Sequence, residues 1–306
     1  MPCCSVSVVN SMKNGTSVRV FARRRWYYTA RCGMSRIQFA LRTVFVHFPN
    51  HMLNAKDRTT FEAHGFLNMG KVLDDDEVAH FRDMVHGDMT KFPNFWHHYG
   101  HHQVANYDPL ISSPGFDALI RHPGILPTVE ALMGGPVCFG EIGLREMGAY
   151  DGEYHQGWHR DKPHWLEHPL RMDYMQLIVL LSDCSETTHC FSLSPESVHD
   201  PILKENAEQL ARGGQFHLHG PAGTCALFNV SLLHTATTRP TKAVRKTVQV
   251  YYGHRDHPYL ADDSAIPATF WRDHPDAEVR AFYGVLNDRT RLFLAAYPER
   301  GPLDPG

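Results

Sequence analysis

A mainly β core flanked by helices is the fold that this sequence predicts, and three observations predict it. Between Val137 and about Tyr252, short segments rich in β-branched and aromatic residues alternate with Gly, Pro and Asp turns. On both sides of that stretch the apolar residues return to helical spacing. A chain of 306 residues that is 42% hydrophobic is also long enough to close such a core as one domain. The β segments are "PVCFGEIGLREMGAY", "YMQLIVLLSD", "HCFSLSP", "GQFHLHGPAGTCALFNVSLLHTA" and "KTVQVYYGHRD". Short strands at this spacing suit an antiparallel barrel or a double-stranded β-helix, the jelly-roll, cupin-like arrangement of two facing sheets.

The chain opens with a basic leader over residues 1–56. Nine of the 30 basic residues lie there and no acid precedes Asp57, so the remaining 21 face all 33 acids, a net of −12. An acid-free, Arg-rich, Ser-containing leader has the composition of an organellar transit peptide. A disordered extension, or translated sequence upstream of Met34 or Met52, has the same composition. Nucleic acid is not the expected partner, since the acidic remainder repels phosphate. No apolar run reaches the roughly 18 residues of a membrane span. The seven cysteines are scattered without C-x-x-C, which points to a reducing compartment. The expected location is therefore the cytoplasm, or an organelle if the leader is a transit peptide.

The folded part, expected over 57–306 with its β core at about 136–255, begins with a strand around Gly65 to Met69. A helix follows, whose N-terminus suits Asp74 to Asp76 and whose Val78, Phe81 and Val85 face inward. "FDALIRHPGILPTVEALMGG" is a second helical region, broken at Pro123 and Pro127 and stopped by Gly134 and Gly135. After the β core, "DAEVRAFYGVLNDRTRLFLAAY" reads as helix with Val279, Phe282, Tyr283 and Leu286 on one face.

The chemistry concentrates in "GWHRDKPHW". On extended chain, residues i and i+2 point the same way, so His159 and Asp161 present an imidazole and a carboxylate to one point. A third ligand must come from elsewhere, and His234 ends the apolar segment "TCALFNVSLLH". Two histidines and one carboxylate on one face of Fe(II) leave positions for a bidentate 2-oxo acid and O2. Arg245, eleven residues on, offers a guanidinium that can clasp the far carboxylate of 2-oxoglutarate with paired, charge-assisted hydrogen bonds.

With these residues in order, the stretch from Phe61 to Gly253 resembles the phytanoyl-CoA dioxygenase-like family of Fe(II)/2-oxoglutarate oxygenases. The likeness runs through "HGFLNMGKVLDDDEVAHFR", "WHRD", "YMQLIVLLSD", "HCFSLSPESVHD" and "LFNVSLLHTATTRPTKAVRKTVQVYY". It implies that His159, Asp161 and His234 bind iron, that Arg245 anchors 2-oxoglutarate, and that the reaction hydroxylates an unactivated C–H bond with release of succinate and CO2. Asp161 separates the chain from related halogenases, which have a small residue there. Glu196 stands where the family often has glycine, and Ala236 where it often has a hydroxyl, for which Thr235 or Thr237 can substitute. Gln176, on the strand after the ligand loop, is a candidate cofactor contact.

Other histidines offer rival sites. His217 and His219 alternate on a strand like a cupin ligand pair, in keeping with an alternative reading as a non-catalytic, cupin-like metal- or ligand-binding protein. His97, His98, His101 and His102 form a polar tract, read as a loop or lid. His155 and His159 lack the Glu of H-E-x-x-H, and Ser194 and Ser197 beside His199 lack a nucleophile elbow. The expected partner is a small-molecule substrate. Lys162 and Trp165 are the candidate substrate contacts, and with His164, Arg171 and Arg145 they suggest an anionic group such as a carboxylate or phosphonate.

Overall fold

A computed structural model of the chain describes residues 53–100, 102–257 and 261–296, so most of the basic leader and His101 lie outside the described residues. Helix α1 (Ala55–His64) precedes the first expected strand and is not announced by the apolar pattern; Asn54 starts it through a reciprocal capping box with Asp57. Strand β1 (Phe66–Lys71) follows, and α2 (Asp75–Lys91) opens on a second capping box, Asp74 with Glu77. Strands β2 (His97–Tyr99) and β3 (Gln103–Asn106) form a hairpin, and the short helices α3 (Pro109–Ser112), α4 (Asp117–Ile120) and α5 (Leu126–Met133) come next. Pro127 sits in the first turn of α5, where its missing N–H costs nothing, and Gly134 ends that helix at φ 78°.

The β core then runs through β4 (Val137–Met147), β5 (His155–Gln156), β6 (Tyr174–Leu180) and β7 (Cys190–Leu193). After helix α6 (Asn206–Gly213) it continues with β8 (Phe216–Leu218), β9 (Thr224–Asn229), β10 (His234–Thr238) and β11 (Arg245–His254). Helices α7 (Ala268–Trp271), α8 (Ala277–Tyr283) and α9 (Asp288–Ala296) close the chain. The C-terminal helical stretch is thus two helices, split where Asn287 turns its side chain onto the Ser264 and Ala261 carbonyls. Among the described residues, no helix is long and apolar enough to cross a membrane.

Two antiparallel sheets carry the strands, one of seven in the order β1-β9-β6-β11-β4-β3-β2 and one of four in the order β5-β10-β7-β8. This is the expected double-sheet core. Strand β6 is buried at every position because both its faces are covered. Met175, Leu177 and Val179 pack with the helices in the larger core, while Ile178 and Leu180 face Phe191, Leu193 and Leu218 of the smaller sheet. Strand β9 alternates in the same way, with Cys225 and Leu227 on the helix side and Ala226 and Phe228 between the sheets.

The histidine tract is the main departure from expectation. His97 and His98 belong to the β2–β3 hairpin at the edge of the large sheet rather than to a loop. Backbone pairing of β3 with β4 holds it; with exposed polar residues at all three β2 positions, no apolar alternation announces the strand.

Candidate metal and substrate site

Along β11 the residues 245, 247, 249 and 251 share one face while Val248, Val250 and Tyr252 turn into the helix-side core. Polar side chains therefore gather between the sheets, at the end where the ligand loop crosses. That loop is pinned by backbone: His159 and His234 exchange N–H···O bonds of 3.0 and 2.9 Å, and the Asp161 N–H donates to the Val230 carbonyl at 3.2 Å. The residues predicted from spacing are thereby brought together. Asp161 Oδ1 lies 3.4 Å from His159 Nε2 and 3.4 Å from His234 Nε2, and the three ligand atoms fall within 4.8 Å of one another.

The protonation of this group follows from its neighbours. His159 Nδ1 faces the Gly157 carbonyl at 2.7 Å and His234 Nδ1 faces the Leu232 carbonyl at 2.9 Å. A carbonyl only accepts, so each Nδ1 carries the hydrogen and each neutral ring turns an Nε2 lone pair inward. The Tyr251 hydroxyl donates to Asp161 Oδ2 at 2.7 Å, leaving Oδ1 to face the histidines. Burial alone would raise the Asp161 carboxyl, but the two imidazoles and the Tyr251 hydroxyl outweigh it and hold the carboxyl far below the usual range. Hydrogen bonding to Asp161 raises His159, against its partial burial. With both Nδ1 atoms turned to carbonyls, His159 Nε2, Asp161 Oδ1 and His234 Nε2 converge as a donor set that suits a cation. Among the described residues this is the one cluster of three such ligands.

An inner cavity of about 310 Å3 lies on this triad, walled also by Gln176, Gln249 and Ala236. An outer cavity of about 670 Å3 shares Tyr99, Arg145, Asp161 and Tyr251 with it. Gln176 is buried and donates to Gln249 Oε1 at 2.8 Å, while its own Oε1 has no hydrogen-bond partner. Arg245 is 2% exposed and lines neither cavity; it meets Met147 Sδ at 3.0 Å through Nη1, and among the described residues its buried Nε and Nη2 find no hydrogen-bond partner and no carboxylate lies within ion-pair distance. Burial pulls its pKa down. A buried guanidinium without a counter-ion is costly, and a carboxylate-bearing ligand is what would satisfy it.

Lys162, one of the two candidate substrate contacts, lines the outer cavity. Trp165 lines neither cavity. Its indole stacks on His257 (centroids 4.2 Å apart, planes at 12°) and donates to Glu167 at 3.1 Å, so it stiffens the loop behind the cavity. His164 turns to Glu196 at 3.5 Å, and burial depresses it to about 4. His217 is taken up by Ser192 Oγ at 2.7 Å. Of the residues that stand in for the missing hydroxyl at Ala236, Thr235 Oγ1 is held by Gly157 N–H and the Ala236 carbonyl, and Thr237 Oγ1 bonds Ser192 at 2.6 Å.

Sequence reasoning missed Tyr251, Gln249 and Glu141. The signal that marks the first two is the interruption of an apolar strand at alternate positions, Arg245, Thr247, Gln249 and Tyr251.

Comparisons with known proteins agree with this fold. Residues 61–247 match the family model described as phytanoyl-CoA dioxygenase (PhyH). No curated protein matches. Among solved structures, EctD from S. alaskensis with 2-oxoglutarate and 5-hydroxyectoine is similar at TM-score 0.56 and 18% identity, over 71% of this chain and 84% of that one. AviO1 from Streptomyces viridochromogenes Tue57 is similar at TM-score 0.55 and 21% identity, over 67% and 97%. The epimerase SnoN from nogalamycin biosynthesis, described as non-heme and alpha ketoglutarate dependent, is similar at TM-score 0.56 and 18% identity, over 65% and 80%.

Proposed function

The chain belongs to the phytanoyl-CoA dioxygenase family, and from that premise we propose that it is an Fe(II)- and 2-oxoglutarate-dependent dioxygenase that hydroxylates an unactivated C–H bond of a small molecule. The observation that carries the reading is the convergence of His159 Nε2, Asp161 Oδ1 and His234 Nε2 with both Nδ1 hydrogens committed to carbonyls. Fe(II) and 2-oxoglutarate, when bound, would supply O2 activation coupled to decarboxylation of the oxo acid to succinate and CO2. Every other task belongs to the protein.

His159, Asp161 and His234 would hold the metal on one face, with Tyr251 fixing which carboxylate oxygen faces it. Arg245 would pair with the distal carboxylate of the oxo acid, the counter-ion that its two unpartnered nitrogens lack. Gln176 and Gln249 line the inner cavity. The outer cavity would receive the substrate, with Lys162 and Arg145 meeting an anionic group, and the buried walls would limit water at the reacting centre.

Anaerobic addition of Fe(II) and 2-oxoglutarate tests the reading. A weak visible charge-transfer band is expected, lost in His234→Ala. Substrate-stimulated succinate release, absent in Asp161→Ala, is the expected turnover signal. No band in the intact protein would sink the assignment.

A further inference from the structure

We propose that the substrate is a monocarboxylate whose charged end is held by Arg145 where the two cavities meet, and that Gly143 is what lets Arg145 reach that place. The proposal deepens the oxygenase reading and rests on it for the chemistry that follows binding.

Ile142 and Leu144 of β4 turn into the helix-side core, so Glu141, Gly143 and Arg145 share the opposite face. Across the pair with β11 they stand beside Tyr251, Gln249 and Thr247 in turn. By register alone Arg145 is two rungs removed from Tyr251, yet it lines the inner cavity together with Tyr251 and the metal ligands. Its side chain gets there by folding back over Gly143. A Cβ at that position would meet Arg145 Nε at 3.3 Å and the Tyr107 ring at 3.4 Å, so any larger residue crowds the guanidinium. The charge is felt at the metal ligands: hydrogen bonding to Asp161 raises His159, and Arg145 opposes the rise.

The Tyr99 and Tyr107 rings pack against the guanidinium, their centroids 4.6 and 5.6 Å from Cζ, and steady it. Glu141 and Tyr251 lie in its field. Among the described residues, however, no acceptor takes a hydrogen bond from Arg145, no carboxylate lies within ion-pair distance, and its buried Nε is without a partner. It is also the one lysine or arginine that walls the inner cavity, since Lys162 lines the outer cavity alone.

A steadied guanidinium with unfilled donors is a receptor for a planar anion of two oxygens, bound through paired, charge-assisted hydrogen bonds. Its single charge, with Glu141 and Asp161 in the same walls, matches a single negative charge. A phosphate or phosphonate dianion would set a second, uncompensated charge against those acids. The carboxylate therefore enters first, and the rest of the substrate fills the outer cavity.

The test is a binding screen by thermal shift at saturating 2-oxoglutarate with Fe(II), followed by succinate-release kinetics. It uses aliphatic, aromatic and amino-substituted monocarboxylic acids, each beside its primary amide. The expected hits carry a free carboxylate and fail as amides. Their KM should rise on the order of 100-fold in Arg145→Gln and about tenfold in Gly143→Ala, where Arg145 is intact but displaced. Arg145→Lys, which keeps the charge and loses the fork, should fall between the native protein and Arg145→Gln. KM for 2-oxoglutarate should not change in any of the three. Hits indifferent to amidation or to Arg145→Gln, a screen in which no carboxylate binds, or a KM that rises for 2-oxoglutarate instead of the substrate would each overturn the proposal. The visible cofactor band is recorded in every protein. Its absence from the intact protein is a failure of the oxygenase reading, whereas thermal shift still reports whether a carboxylate binds at Arg145.

Discussion

Arg160, the residue between the two ligands of the loop, donates from Nη1 to Glu196 Oε2 at 2.7 Å, and the same nitrogen reaches the Ser231 carbonyl. One guanidinium thus ties the His159–Asp161 loop to the turn after β7 and to the segment that leads into His234. Glu196 occupies the position where glycine is common in the family, and its side chain is 2% exposed. A charge buried there makes sense as an anchor for the ligand loop. Replacing Glu196 with Ala leaves the largely buried Arg160 without its counter-ion, a loss of roughly 3–5 kcal/mol. The expected result is a melting point lower by about 6–20 °C, together with Fe(II) affinity reduced by about tenfold or more. Thermal unfolding and an anaerobic Fe(II) titration check both. A lowered melting point with unchanged metal affinity would mean that the pair serves the fold alone.

Tyr251→Phe removes one hydroxyl and nothing else from the wall. Asp161 loses the hydrogen bond at Oδ2 that orients it, so its Oδ1 no longer faces the histidines in one fixed rotamer. Metal affinity should fall about 10- to 100-fold. Far-ultraviolet dichroism and sheet stability should stay as they are, because the ring remains packed. Fe(II) or Co(II) titration reads the effect directly, and an unchanged constant would remove Tyr251 from the metal's support.

Arg245→Met separates function from stability in opposite directions. The guanidinium is buried with two nitrogens unpartnered, so an apolar side chain of similar length should leave the melting point of the ligand-free protein unchanged or raised. The same change deletes a pair of charge-assisted hydrogen bonds to the oxo acid. KM for 2-oxoglutarate should rise on the order of 100-fold. Succinate-release kinetics at varied 2-oxoglutarate, beside thermal unfolding, measure the two effects. A destabilised protein with normal KM would show that Arg245 is structural.

The parts of this site that follow local periodicity are legible in the sequence. His159 and Asp161 stand two apart on extended chain, and His234 ends an apolar run, so their convergence follows from strand geometry once two facing sheets are assumed. Arg245 is placed by the same periodicity as the first residue of β11, although it lines neither cavity. What local pattern cannot carry is pairing across distance. Glu196 reads as a surface acid until Arg160 is placed beside it, and Tyr251 reads as a core aromatic like its neighbour Tyr252 until β11 is set against the ligand loop. Trp165 errs in the other direction. An aromatic after the ligand pair suggests a pocket wall, but His257, from beyond the end of β11, stacks on its face and takes it into the packing. The β2 strand, exposed at every position, is held by its backbone bonds to β3 and by the packing of Tyr99 on Tyr107 and Arg145.

Glu141 gives the fold a pH dependence of defined sign. Its ordinary value of 4.5 is pushed up to about 8 in the folded protein, first by burial and then by Asp263. Between those values the folded state holds a proton that the unfolded chain has released. Stability from this group is therefore fully present below about pH 4.5 and is lost as pH rises through about 8. The loss approaches on the order of 5 kcal/mol at alkaline pH. Glu141→Gln cannot titrate, so other groups cancel when the two proteins are compared. Denaturant unfolding of the ligand-free proteins from pH 5 to 9 should show the variant gaining on the native protein as pH rises, with the difference levelling off above about pH 8. A difference that is flat across that range would mean that Glu141 is ionised throughout, with a cation of the protein already beside it.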